Sequence, residues 1–153
     1  MRSLELRIPP LLVWFLFGGA MFGIARQLPS LSIATPARPA IAIALAAIGL
    51  AVTIAGVAAF RRKGTTVNPL DPNLSTSIVS SGIYGFSRNP MYLGFLLTLA
   101  GWAVWLENAG SALLLLLFVG YMNVFQIKPE ERILLGKFGA EYAGYMARVR
   151  RWI

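Results

Sequence analysis

Four apolar blocks, residues 10–25, 39–60, 91–106 and 109–127, constrain this chain more than any other feature. Each is too continuously hydrophobic to be one face of a soluble helix. The second, at 22 residues, is long enough to cross a hydrocarbon core of roughly 30 Å. The others, at 16 to 19 residues, lie near the short end of that range and depend on polar flanks. With 57% hydrophobic and 13% charged residues over 153 positions, the pattern predicts an all-α membrane protein, one domain over 1–153 with four transmembrane helices. Gly19-x-x-x-Gly23 marks a packing face that favours a retained first helix over a cleaved signal peptide. Gly49 and Gly56, seven apart, suit close approach by a neighbour, and Gly94 and Gly101 repeat that spacing in the third block.

The net charge of +8 would suit a nucleic-acid partner if it were spread over one surface, but it is sorted by loop. With both termini inside, twelve of the 14 Lys and Arg residues face the cytoplasm and two, Arg26 and Arg38, face out. The charge therefore reads as topology, and membrane lipids rather than nucleic acid are the expected partners, with Arg2 and Arg7 near anionic headgroups. Cys and His are both absent, which removes thiolate nucleophiles, imidazole bases and the usual zinc ligands, so no metal is expected.

The 61–90 connection is unusually long for a compact membrane protein, and such loops are commonly functional. Arg61-Arg62-Lys63 anchors the end of the second span, and Asn68-Pro69 and Asp71-Pro72 are turn formers. The loop ends in Ser-Gly-Ile-Tyr-Gly-Phe-Ser-Arg-Asn-Pro, residues 81–90, where Pro90 suits the first turn of a helix and Asn89 its N-cap. Free N–H groups and Arg88 at that junction would suit an anionic ligand. Glu107-Asn108-Ala109-Gly110 is a tight outer turn, so spans three and four form an antiparallel hairpin whose inner ends, 89–92 and 126–131, meet. Trp102 and Trp105 read as an interfacial belt.

In the cytoplasmic tail, 128–153, Leu134, Phe138, Tyr142, Tyr145 and Val149 recur at the spacing of one helical face. Gly139 is expected to interrupt it, leaving two short interfacial helices. Glu130 and Glu131 suit either a helix N-terminus or a ligand.

The string Ser81-Gly82-Ile83-Tyr84 with Arg88-Asn89-Pro90-Met91-Tyr92-Leu93-Gly94, followed by Glu130-Glu131 and the aromatic tail, resembles the isoprenylcysteine carboxyl methyltransferase and phospholipid methyltransferase superfamily of integral membrane enzymes. The likeness covers about residues 61–153. It implies S-adenosylmethionine as cofactor and methyl transfer to a lipophilic or membrane-associated carboxylate, thiol or amine at the cytoplasmic face. The resemblance implies cofactor contacts from Gly82, Tyr84, Arg88, Asn89, Pro90, Tyr92, Glu130 and Glu131. Arg88, Arg148 and Arg151 are the candidates for orienting the reacting groups, although lipid attraction accounts equally well for the two tail arginines. Asn89 stands where many members have His, which keeps hydrogen bonding but removes a titrating group. The competing readings are a small four-helix transporter, against which the lack of ionisable residues inside the blocks counts, and a noncatalytic membrane subunit.

Overall fold

A computed structural model describes residues 5–30, 36–64, 68 and 70–153, so the expectations for Arg2 and Pro69 lie outside the described residues. Among those described, every regular element is helical: α1 Pro10–Gln27, α2 Arg38–Lys63, α3 Pro90–Leu106, α4 Ala109–Tyr121 and α5 Lys128–Arg148. Proline stands in the first turn of α1, α2, α3 and α5, where a missing N–H costs nothing. A left-handed Gly64 ends α2, and a left-handed Glu107 ends α3.

Three helical stretches are long and apolar enough to cross a membrane, Pro10–Gln27, Arg38–Lys63 and Ala109–Arg148, while α3 is apolar but only 17 residues long. Leu16, Ile43, Leu50, Ile54, Leu113, Leu116 and Leu117 are each more than half exposed, a surface that suits hydrocarbon and not water.

The tightest pairing is α2 with α3, and glycine creates it. A methyl group placed on Gly49 would come within 2.6 Å of the Gly94 carbonyl oxygen. One on Gly94 would lie 2.0 Å from Thr53 Oγ1, and one on Gly101 would lie 2.6 Å from the Ala42 oxygen. The helices therefore meet backbone to backbone, as small residues permit in a membrane. The Gly19-x-x-x-Gly23 pair behaves differently: nothing lies within 4 Å of where either methyl would sit. Its expected packing face is not used, and α1 instead packs through Val13, Met21 and Phe17 onto Leu99, Phe118 and Met122.

The hairpin turn forms as its sequence suggests. Asn108 accepts from the Ser111 N–H at 3.0 Å and donates to the Leu28 and Pro29 carbonyls, which ties the end of α1 to the start of α4. Arg38 and Glu107 form an ion pair across the same end. Trp105 is half exposed, whereas Trp102 turns inward and donates to the Gly18 carbonyl at 3.1 Å, so only Trp105 matches a belt residue.

The helix does not stop where the fourth block ends. A π-helical turn, Met122–Ile127, joins α4 to α5 without a break. Widening one turn leaves a carbonyl without its usual helical donor, and the Leu6 N–H takes the Phe125 oxygen at 3.0 Å. Gln126 donates to the Ile8 carbonyl at 2.7 Å, and Arg132 pairs with Glu5. Gly139, with φ +51° and ψ −124°, breaks the helical backbone of α5 and divides it into two helices across a kink, as expected. At 1.5 Å per residue the stretch from Ala109 to the kink is about 45 Å, already more than a bilayer core of roughly 30 Å needs, so α5 extends beyond the span.

Candidate functional site

The residues at the polar end of the α3–α4 hairpin are placed by helix geometry and then locked by the returning chain. Pro90 starts α3 while buried against Gly56, which fixes the depth of Arg88, Asn89 and Tyr92. Tyr84 is buried in a 3-10 turn, Gly82–Gly85, with its ring edge-on to Phe60. Beyond α5 the chain turns back, and the Arg88 N–H donates to the Arg150 carbonyl at 3.0 Å.

Asn89 occupies the N-cap position of α3, but its side chain does not cap it. The amide instead donates to the Arg151 carbonyl at 3.0 Å, and the Ser87 hydroxyl takes the Asn89 backbone N–H. The Arg151 carbonyl accepts both the Asn89 amide and, at 3.4 Å, the Ser87 hydroxyl, so the Asn89 side chain is turned to the returning chain and not to its own helix.

Arg88 is nearly saturated by protein. One terminal nitrogen donates to the Met146 and Val149 carbonyls at 2.9 and 2.8 Å, and the other pairs with Glu131 at 2.6 Å. Glu131 also receives Arg151 through Nε at 3.1 Å and Nη2 at 2.6 Å. Burial alone would raise the Glu131 carboxyl, but hydrogen bonds from Arg151 and Arg88 outweigh it and hold the group below the usual carboxylate range. Two guanidinium groups thus converge on one carboxylate and leave positive charge in excess there.

Glu130, one position earlier, has a different environment. Its carboxylate accepts from the Tyr92 hydroxyl, and among the described residues no Lys or Arg forms an ion pair with it. Burial pushes its carboxyl up to about 8; the Tyr92 hydrogen bond lowers it, and the Glu131 charge raises it. Tyr145 donates to the Tyr84 carbonyl at 2.8 Å, and burial pushes both phenols above their ordinary range.

Six expected residues, Tyr84, Arg88, Asn89, Tyr92, Glu130 and Glu131, line one hollow of about 90 Å³. Four others do not. Gly82 is exposed with φ +63°, a turn that favours glycine, and Pro90 is spent on packing. Arg148, the last residue of α5, is exposed and contributes nothing to the lining. Arg151 reaches the hollow only through Glu131. Phe60, Met91, Leu134 and Tyr142 also line the space and were not singled out. Leu134 and Tyr142 belong to the periodic face of the tail, which was the signal available for them. Pro72 and Ser75, from the 3-10 turn Pro72–Leu74 and its end, close another wall, and the Asp71 side chain caps that turn through Asn73.

The hollow has one buried donor without a partner, Arg88 Nε, and one carboxylate without a cation. The rest of its lining mixes aromatic and aliphatic side chains with Asn68, Ser75 and Asn89. Such a site can bind a polar group through few, directed hydrogen bonds and can accept a proton.

The family model described as phospholipid methyltransferase matches residues 37–141, from the start of α2 past Glu130 and Glu131. An uncharacterized protein of Haemophilus influenzae is 46% identical over 63 residues, 41% of this chain and all of that one. A protein-S-isoprenylcysteine O-methyltransferase of Saccharomyces cerevisiae is 33% identical over 72 residues, 47% of this chain but only 30% of the yeast enzyme. No solved structure matches the chain significantly.

Proposed function

The chain belongs to the phospholipid methyltransferase family and is a methyltransferase of lipid-related substrates, and we propose that it draws the methyl group from S-adenosylmethionine at the hollow between α3 and α5. The observation that carries this reading is the meeting of Arg88, Asn89 and Tyr92 with Glu130 and Glu131 around one space, inside the stretch the family model covers.

The lining fits the cofactor. Arg88 Nε supplies an unpaired donor, Asn89 an amide, and Tyr84 and Tyr142 aromatic faces that attract a cation. Glu131 holds Arg88 and Arg151 in place and is neutralised by them. At about 90 Å³ the hollow is smaller than the few hundred Å³ typical of ligand pockets. The wall formed by Asn68, Pro72 and Ser75 lies on the connection between α2 and α3, around the 3-10 turn Pro72–Leu74. Bound there, S-adenosylmethionine brings a methyl group already activated on a sulfonium, so the protein's task is alignment and exclusion of water. Of the 13 described basic residues all but Arg26 and Arg38 lie on the connections and tail at this end, which supports a cytoplasmic site by the positive-inside rule. The acceptor then arrives sideways from the bilayer.

Titration of the folded protein, in lipid nanodiscs, with S-adenosylhomocysteine tests the proposal. Saturable binding at one site per chain is expected. Absence of detectable heat or competition by well-folded protein overturns it.

A further inference from the structure

A second cavity lies towards the end of the bundle away from the hollow. It is an apolar groove of about 810 Å³ between α1 and the α2–α3 pair, walled by Phe15, Gly19, Phe22, Ile43, Leu50 and Trp105 among others. Phe15, Ile43 and Leu50 are more than half exposed there, and Phe22 and Trp105 close to half. Gly19 helps to keep it open, since nothing stands within 4 Å of where its methyl would be. The polar groups of the walls are spent on one another. The Trp14 indole donates to Thr98 Oγ1 at 2.8 Å, Thr98 donates to the Phe95 carbonyl at 2.8 Å, and the Trp102 indole donates to the Gly18 carbonyl at 3.1 Å. Walls so committed offer water little and suit hydrocarbon.

The depth of the groove matches a lipid chain and not a helix. From Trp14 to Phe22 on α1, and from Thr98 to Trp105 on α3, the lining advances about 10 to 12 Å along the helix axes. That is most of one leaflet, half of a hydrocarbon core of roughly 30 Å, and well short of what a spanning helix from a second copy needs. One further turn of α1 brings Arg26 to the mouth, its guanidinium 5.9 Å from the centre of the Phe22 ring, which also stacks on Trp102. Arg26 is exposed and, among the described residues, forms no ion pair, whereas Arg38, the other cation at this end, is matched by Glu107. The mouth therefore carries one unmatched positive charge above an apolar, aromatic floor.

We propose that this groove is a binding site for one phospholipid, which lays an acyl chain between α1 and α3 and sets its phosphate on Arg26, with Trp105 at the level of the headgroup. The apolar walls would accept any chain; the unmatched cation at their mouth selects one that ends in a phosphate. This lipid is not the methyl acceptor. Its headgroup lies at the opposite end of α3 from Tyr92, and groove and hollow share no lining residue. The site therefore stands apart from the methyltransferase reading, and it holds whether or not the hollow takes a cofactor. Its occupant fills the gap that α1 leaves beside the closely packed α2–α3 pair.

The test uses the full chain in dodecylmaltoside, titrated with dioleoylphosphatidylglycerol and, as the phosphate-free control, dioleoylglycerol, and read by native mass spectrometry. One phosphatidylglycerol per chain is expected, with the control bound about fivefold more weakly or worse. Gly19→Phe, whose ring would occupy the groove, should lower affinity for both lipids by about tenfold or more, since denying burial to about two methylene groups already amounts to that. Arg26→Gln should lower affinity for phosphatidylglycerol by about fivefold, the ordinary contribution of one basic residue at a lipid surface, and leave dioleoylglycerol unaffected. Arg62→Gln, at the other end of α2, should change neither by more than about twofold. Equal binding of the two lipids, or an equal loss with Arg62→Gln, overturns the proposal and leaves general attraction to a charged surface. No loss with Gly19→Phe overturns it in favour of lipid held anywhere on the apolar exterior. Chain dimers that Gly19→Phe disperses overturn it as well, with a second copy as the occupant. If Gly19→Phe does not fold, the contrast between Arg26→Gln and Arg62→Gln decides.

Discussion

The seam between α2 and α3 and the clasp at the polar end hold the same helix by opposite means. Along the seam, Gly49, Gly94 and Gly101 bring backbones together with no charged group and little freedom. At the clasp, Arg88, Glu131 and Arg151 join three segments through directed, charge-assisted bonds. The seam is steric, so it is indifferent to pH and intolerant of one added carbon. The clasp is electrostatic, so it tolerates some change of shape but no loss of a partner. Together they set where Tyr92 and Glu130 meet: the seam fixes the depth of one, the clasp the position of the other.

The largest effect is expected at the seam. Gly94→Ala puts a methyl group where Thr53 Oγ1 and the Gly49 oxygen already stand, and both lie on a helix that must move. A loss of about 3 kcal/mol or more is expected, at the upper end for overpacking, read as a collapse of the thermal transition in nanodiscs. If Gly94→Ala melts like wild type, the seam is not the rigid member of the pair.

Next comes Arg88→Met. It leaves three acceptors short of a donor, with Glu131 7% exposed and Arg151 as its remaining partner. About 3 kcal/mol is expected, because two carbonyls lose their donor and a buried carboxylate loses one of its two partners. The distinguishing readout is proteolysis: cleavage after Arg148 to Arg151 should accelerate, while the seam stays protected from hydrogen exchange. Uniform loss of protection would mean that the two regions are not separable.

Glu130 gives a pH signature that the seam cannot. Its folded carboxyl, raised to about 8 from the ordinary 4.5, binds a proton more tightly than the unfolded chain does. The associated stability is fully present below about 4.5 and is lost as pH rises through about 8. Glu130→Gln should flatten that decline, worth about 1 to 2 kcal/mol once solvent screening of a half-buried group is allowed for. Glu131 has the opposite sign: its folded carboxyl is lowered, so its contribution is present above the unfolded value and fades as pH falls through the folded one. A stability profile that rises between pH 5 and 8 would contradict the assignment of Glu130.

Tyr145→Phe removes one hydrogen bond, to the Tyr84 carbonyl, and should cost about 1 kcal/mol. The smallest effect belongs to Gly19→Ala, within about 0.5 kcal/mol of wild type, since its added methyl meets nothing. The contrast between Gly19 and Gly94 isolates contact from glycine content.

That contrast also shows what the sequence could and could not reveal. The apolar blocks matched α1, α2 and α3 to within three residues at each end, because Pro, Gly and Asn punctuate a continuous hydrophobic run. Glycine spacing was equally regular in α1 and α2, yet only α2 uses it. Spacing defines a face but not what stands opposite. The π-helical turn had no signature, since the Leu6 N–H that donates to its Phe125 carbonyl comes from the distant N-terminal segment. The periodic tail face was legible and forms the cluster of Tyr142, Tyr145 and Val149. That Glu131 would be consumed by two arginines, leaving Glu130 the uncompensated member, was not, because Arg151 reaches it only after the chain reverses.

The turn at Met122–Ile127 is gripped from both flanks of the sequence, by Leu6 and Ile8 on one side and, through its indole bound to Asn123, by Trp152 on the other. A fluorophore attached at position 5 or at Ile153 would consequently report from beside the hollow, and a quenching partner on the second position would turn ligand entry into an optical signal. Bulky purification handles are best kept away from both sites for the same reason.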